Sequence, residues 1–349
     1  MKIRLFALAA VASLLLNIAG FAAGDTRRSK AKKRQASRLV SLLPASDGVA
    51  VFDSKRFLDD ALPKLLSANQ PMLSQITGNI SEIENRTAID LRKFDQVAVG
   101  LSIKPLAEKE PDMAPLMIAS GDLNVGALIA LAKIASKGKY REEKIGKSSV
   151  YVFTMENAVK TSTQTKNSKI AQVINQGVKQ LTAEIAVTSL DRNTMALGSL
   201  ARVRETLEAK SHIGTDLTSL LLAKETAVMS FAVKMPTGIA KMLSLDNDEL
   251  GANIDAIQYM SGSLDVAAIG TSLQLMARTA KPEQAVMLKD TLDALQIVGK
   301  AVFGNSKQPD KSIYGRMLKN AKLDSHGSDV TLDLLVPQAD IDVLVAKIK

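Results

Sequence analysis

"AIQYMSGSLDVAAIGTSLQLMARTAKPEQAVMLKDTLDALQIVGKAVF" (256–303) holds the unit from which the fold is read. Its first two runs, "AIQYMSGSLDV" and "GTSLQLMART", are strand-like and pair as a hairpin across Ala267–Gly270. A helix follows Pro282. Beyond it Leu288, Leu292, Leu295, Val298 and Val302 line up at helical spacing, which predicts one buried stripe.

The same hairpin-then-helix order recurs on both sides. "AEIAVTSLDRNTMALGS" (183–199) reads as a hairpin turned at Asp191-Arg192-Asn193, followed by a helix from Leu200 to about Ala209. "KLDSHGSDVTLDLLVP" (322–337) is a last hairpin before a C-terminal helix carrying Ile341, Val343, Leu344 and Ile348. Further strands are expected at "GVAVFD" (48–53), "FDQVAVGLSI" (94–103), "APLMIASGD" (114–122), "KSSVYVF" (147–153) and "ETAVMSFAVKM" (225–235). A helix follows the first of these, with Leu58, Ala61, Leu62, Leu65 and Leu66 on one stripe, and the polar run 154–169 reads as a loop. The expected fold is α+β: two related halves of mainly antiparallel sheet, 39–211 and 212–349, with strand-hairpin-helix units packed on one face. The internal repeat rests on element order alone.

Charge is unevenly spread. The chain of 349 residues has a formal net charge of +9, but nine of its 45 Lys and Arg, and one of its 36 acids, fall in residues 1–38. The rest is close to neutral, aromatics are 3% of residues and Trp is absent. A nucleic-acid-binding body needs a basic face and bases need rings to stack on, so no nucleic-acid partner is expected. Residues 1–24 have the form of a signal peptide: Lys2 and Arg4, an apolar run, then Ala22-Ala23-Gly24. Residues 25–38, "DTRRSKAKKRQASR", read as a basic flexible spacer that touches anionic membrane surfaces weakly. An exported chain in the periplasm or outside the cell is expected. The alternative is an inner-membrane anchor at residues 5–23, because more positive charge follows the apolar run than precedes it. With no Cys in the chain, disulfides and thiolate metal sites are excluded.

"LLPASDGVAVFDSKRFLDDALPKLL" (42–66) resembles the opening of large uncharacterised families of exported bacterial proteins, which start with Leu-Pro-Ala-Asp, a strand and a capped helix. Leu43, Pro44, Ala45, Asp47, Val49, Val51 and Asp53 carry the likeness. It implies export and architecture, and assigns no functional residue.

Chemical signatures are few. A Ser-His-Asp triad or a multi-His metal site must use His212 or His326, the two histidines of the chain. Asp324-x-His326-x-x-Asp329 offers three metal ligands, but Asp, Ser and Gly around it favour a hairpin turn. His212 reads as a helix C-terminal partner. "IGKSS" (145–149) has Arg141 where a phosphate loop needs its first Gly and precedes its strand, so it is not one. "DNDELG" (246–251) opens like a calcium loop but has Leu250 and Ile257 where oxygen ligands belong. The reading is therefore no catalytic residue, no cofactor and no metal ligand. "LNVGALIALAKIA" (123–135), apolar on nearly every side and too short to cross a bilayer, is expected to be a sandwiched core helix with Leu128, Ile129, Leu131 and Ile134 inaccessible. A non-enzymatic envelope protein binding another envelope protein or an apolar ligand is the expected function. The alternative is a hydrolase with dispersed carboxylates.

Overall fold

The computed structural model describes residues 35–87, 90–104, 112–154, 184–221, 227–238, 240, 249–267, 269–304, 309–346 and 348. The signal peptide, most of the basic spacer, the polar run from 155 and Asp246–Asp248 lie outside these. Among the described residues no helix is long and apolar enough to cross a membrane.

The chain is α+β and divides into two compact units, in each of which neighbouring strands pair antiparallel. The seven-strand unit comprises the described residues up to Lys55 and Thr77–Ser219. A helix of residues 35–41 (α1) leads to strand β1 (Gly48–Asp53). Then come β2 (Phe94–Lys104), β3 (Asp112–Gly121), β4 (Tyr140–Ile145), β5 (Ser148–Thr154), β6 (Glu184–Asp191) and β7 (Thr194–Gly198), in spatial order β1-β2-β3-β7-β6-β5-β4. Register puts Ala98, Ile118 and Ala196 side by side on one face, and all three are fully buried. The alternation behind this is the period of two that side chains follow along a strand.

α1 belongs to that buried face. Leu39, Val40 and Leu43 are buried, and Leu43 lies against Gly100. The basic spacer expected over 25–38 therefore does not run its full length. Gln35 donates to Ser120 Oγ (2.9 Å), Ala36 is buried and Arg38 pairs with Asp191 (2.6 Å). The physical reason is an apolar line, Ala36, Leu39, Val40 and Leu43, at helical spacing that starts inside the basic run. Arg202, on the helix Leu200–Glu208, secures the chain between α1 and β1. Its buried guanidinium donates to the Ala45 carbonyl (2.9 Å) and to Ser46 Oγ (2.6 Å) and pairs with Glu205. Asp47 continues the β1–β2 ladder by accepting from the Ile103 amide (2.8 Å).

The five-strand unit comprises Arg56–Ile76 and the chain from Leu220 onward. Its strands are β8 (Met229–Lys234), β9 (Ile257–Ala267), β10 (Gly270–Thr279), β11 (Lys322–His326) and β12 (Asp329–Pro337), in order β11-β12-β10-β9-β8. The hairpin pairs Ala267 with Gly270, as expected from the sequence. The division expected at 211/212 differs from the observed grouping in two respects: residues 212–219 stay with the first unit, and one earlier segment joins the second. Arg56–Ile76 joins the C-terminal strands because Leu62, Leu65 and Leu66 pack on Val336 and Ile341. That segment winds through a π turn, Phe57–Ala61, directly before Leu62–Leu65. Pro63 has no N–H to give an α-helical bond, and the Leu62 amide bonds Phe57 O instead. Asn69 is buried, donates to the Val345 and Ile348 carbonyls (2.7 and 2.9 Å) and accepts from the Met72 amide (3.1 Å). An ion pair of Arg56 with Asp265 (2.6 Å) has both side chains largely buried.

Two outcomes follow. Removing residues 1–38 should lower the stability of the remainder by about 1–2 kcal/mol relative to removing 1–34, from lost burial and the Gln35–Ser120 bond. Equal urea midpoints would show that α1 holds nothing. Arg202→Met should cost about 2–3 kcal/mol, because Ala45 O and Ser46 lose a charged donor. Calorimetry of the variant checks this.

Candidate functional site

The apolar stretch 123–135 forms a helix, Val125–Ala135 (α2), capped by Asn124: Asn124 Oδ1 accepts from the Ala127 amide (3.1 Å). The hairpin turn of β6–β7 holds its start. Asn193 donates to the carbonyls of Gly121 (3.1 Å) and Leu123 (3.4 Å), while Asp191 Oδ1 accepts from the Asn193 amide (2.8 Å). Leu123, Val125 and Ile129 are buried against Val187, with Phe94, Tyr151, Phe153 and Leu197 around them. Toward the helix end Lys133 Nζ sits 3.7 Å from the Tyr151 ring centre and 5.3 Å from that of Tyr140. This cation–π contact fastens the last turn to β4 and β5. Glu142 beside it is held below the usual carboxylate range by a hydrogen bond from Ser149, against its own desolvation, with Lys133 adding charge.

The helix is not sandwiched. Ile129 is buried and Leu128 and Leu131 are half-buried, but Ile134 is 74% exposed, as are Gly126, Ala127 and Ala130 on the outer side. The sequence misleads here because the outward positions hold Gly and Ala. These lack a polar group to mark the solvent side, yet expose little area.

The 256–303 helix corrects a second expectation. Pro282–Phe303 (α3) buries Ala285 and Leu288 on Val330, with Leu292 half-buried beside them. From there the inward line continues through Gln296, Gly299 and Phe303, and leaves Leu295, Val298 and Val302 outside. Gln296 Nε2 donates to the Leu318 and Ala321 carbonyls (both 2.8 Å), so it satisfies the end of the next helix, Pro309–Asn320 (α4). At Gly299 any Cβ would lie 2.7 Å from Leu318, so the two helices approach through its bare backbone. Hydrophobicity alone picked the wrong side; the spacing Ala285, Leu288, Leu292, Gln296, Gly299, Phe303 was the signal available.

The candidate chemical residues do not converge. His326 is exposed and stands opposite Asp329 at the end of the β11–β12 hairpin, where Gly327 takes φ +56°. Asp329 is engaged by Arg278 through two bonds (2.6 and 2.8 Å), which raise the affinity of that guanidinium for its proton. Asp324 accepts from the Ser325 amide, and His212 is exposed in the connection after Leu200–Glu208. "IGKSS" is a two-residue hairpin, with Gly146 at φ +60° and Ile145 opposite Ser148. Glu249–Gly251 of "DNDELG" begin a helix, Glu249–Asp255. Glu184 and Glu143 share Arg141, whose hydrogen bond holds the Glu184 carboxyl below its usual range, and Glu143 also meets Arg204 (3.2 Å). Among the described residues no group of three His, Asp or Glu is placed to hold a metal ion.

Two neighbouring positions on α2 separate packing from surface. Ile129→Ala should cost about 2–5 kcal/mol through the cavity it leaves, and Ile134→Ala should stay within about 0.5 kcal/mol of the parent. Paired denaturant titrations read both.

No protein-family model matches the chain, and no curated protein matches it. Among solved structures it is similar to TP0453 in crystal form III, at 10% identity and a TM-score of 0.45 over 88% of this chain and 97% of that one. Crystal form IV of the same protein gives 10% identity and a TM-score of 0.43, over 88% of this chain and 96% of that one.

Proposed function

We propose that this is an exported, non-enzymatic protein of the cell envelope that binds another protein or an apolar ligand through outward-facing apolar helix surfaces. The observation that carries this reading is the exposure of large aliphatic side chains on helices whose other side is well packed: Ile134 on α2 and Leu295, Ile297, Val298 and Val302 on α3. Scattered apolar residues are ordinary on a protein surface, but a cluster without charge marks a place of contact. The form of residues 1–24 supports export, and the seven bases that follow support a weak attraction to anionic membrane surfaces.

A carboxylate-dependent hydrolase would need two acids facing one cleft with their charges set apart by environment. Glu143 and Glu184 instead surround one guanidinium, Asp329 faces Arg278, and the buried Asp340 is held by Arg316 (2.5 Å). Such pairing supports the binding role over the hydrolase.

The test is a polarity-sensitive dye added to the folded protein well below its melting temperature. Dye fluorescence should rise with the parent chain, and fall with Ile134→Lys or Val298→Lys at unchanged melting temperature. Absence of dye binding by the parent would remove the basis of the reading.

A further inference from the structure

We infer that the outer face of α3 is a self-association surface, on which a second copy of this chain packs its own α3 antiparallel about a two-fold axis near Val298. The inference deepens the binding role above, and rests on it, by naming the occupant of one of its surfaces.

The face is defined by what points away from the sheet. After Asp290 every fully exposed residue of the helix is apolar: Ala294, Leu295, Ile297, Val298, Ala301 and Val302. Ile297 is 66% exposed, Val302 62% and Val298 60%. Gln296 is turned inward by the carbonyls it binds, and the half-exposed Asp293 and Lys300 lie beside the face rather than on it. The side that meets water is thus the more apolar one, the reverse of a surface helix packed once on a core. The orientation is set by α4, which holds both Gly299 and Gln296 on the inner side.

Three features favour a copy of the same chain. The first is area. These six side chains present roughly 500 Å² of apolar surface, near the largest patch that monomers ordinarily expose. Two such faces closed on each other bury about 1,000 Å², the size at which specific association begins. The second is shape. Ala294 and Ala301 alternate with larger neighbours at a spacing of seven, so ridges on one helix meet shallow places on its copy, and a two-fold contact demands such self-complementarity. The third is charge. In the N-terminal part of α3 the acids Glu283, Asp290 and Asp293 outnumber the bases Lys281 and Lys289, the latter already paired with Asp293, while Lys311 at the start of α4 is exposed past the other end. Antiparallel pairing brings the acidic part of each helix to the basic end of the other, whereas parallel pairing sets like against like.

Because the chain has no Cys, an introduced one reports its own neighbour. In the full chain, Val298→Cys should give a covalent dimer under mild oxidation, since a residue near a two-fold axis meets its own copy. Glu283→Cys should not, and neither should Ile134→Cys, which is as exposed but lies on α2. The double variant Ile297→Lys/Val298→Lys should sediment at half the parent's mass and melt at the parent's temperature. A parent that sediments as a monomer overturns the inference, and so does cross-linking at Glu283 as strong as at Val298, which indicates a parallel pair. Equal cross-linking at Ile134 shows unspecific association. A monomeric parent that binds anionic vesicles, with loss of binding in the double variant, assigns the face to a lipid surface instead. Failure here with dye binding intact leaves the broader binding role standing, whereas loss of both removes it.

Discussion

The register of β2 against β3 is the constraint on which the seven-strand unit depends. It sets Ala98 opposite Ile118 and Gly100 opposite Leu116, and β7 extends the line with Ala196 and Gly198. A slip of one residue would bring Val97, Val99 and Met117 to the face covered by α1 and by the helix Leu200–Glu208. It would turn the fully buried set toward α2. Small residues matter in this layer as much as large ones. At Gly100 a Cβ would come within 2.7 Å of Ser46 Oγ and 3.2 Å of Leu43, so the chain before β1 lies close over the strand. Arg202 then ties that chain down from the other side.

The five-strand unit meets a related problem with helices. The sheet of β8–β12 is covered by α3 and by Gln338–Val345, and α3 extends past the strands it packs on. Its second half is held by α4 rather than by the sheet. Helix–helix contact through Gly299, and Gln296 bonded to two terminal carbonyls, rotate the apolar residues outward. The exposed face of α3 is thus a consequence of how α4 is fastened.

Charge plays a local part. Arg141 gathers Glu143 and Glu184 at the β4 edge, and these charged groups blunt a strand whose ladder would otherwise invite pairing. Arg278 with Asp329 staples β10 to its sheet neighbour β12. These pairs are at the surface and individually weak. With these acids already matched by cations, the aliphatic helix faces are the distinctive part of the surface.

By itself the sequence determined every strand but one, the hairpins, and the helices after Asp53, at 125–135, 200–208 and 282–303 and at the C-terminus. A period of two or of 3.6, closed by Asp191-Arg192-Asn193, Ala267–Gly270 or Gly327-Ser328, is a local property that burial only reinforces. It also determined that the scarce histidines and the glycine-lysine turn at 145–149 stand in turns or connections, since turn residues adjoin them. The strand Tyr140–Ile145 was not legible, because Arg141, Glu142, Glu143 and Lys144 look like a solvated connection and serve as a sheet edge. Nor were the helices Gln70–Thr87 and Pro309–Asn320, whose polar composition hides an apolar stripe that is in fact more one-sided than that of α2 or α3. Which side of an apolar helix faces inward was decided only by tertiary structure. Ile134 and Val298 are as hydrophobic as Ile129 and Leu288. What separates them is where the neighbouring elements end, and a helix too apolar to show a polar face carries no mark of that in its own residues.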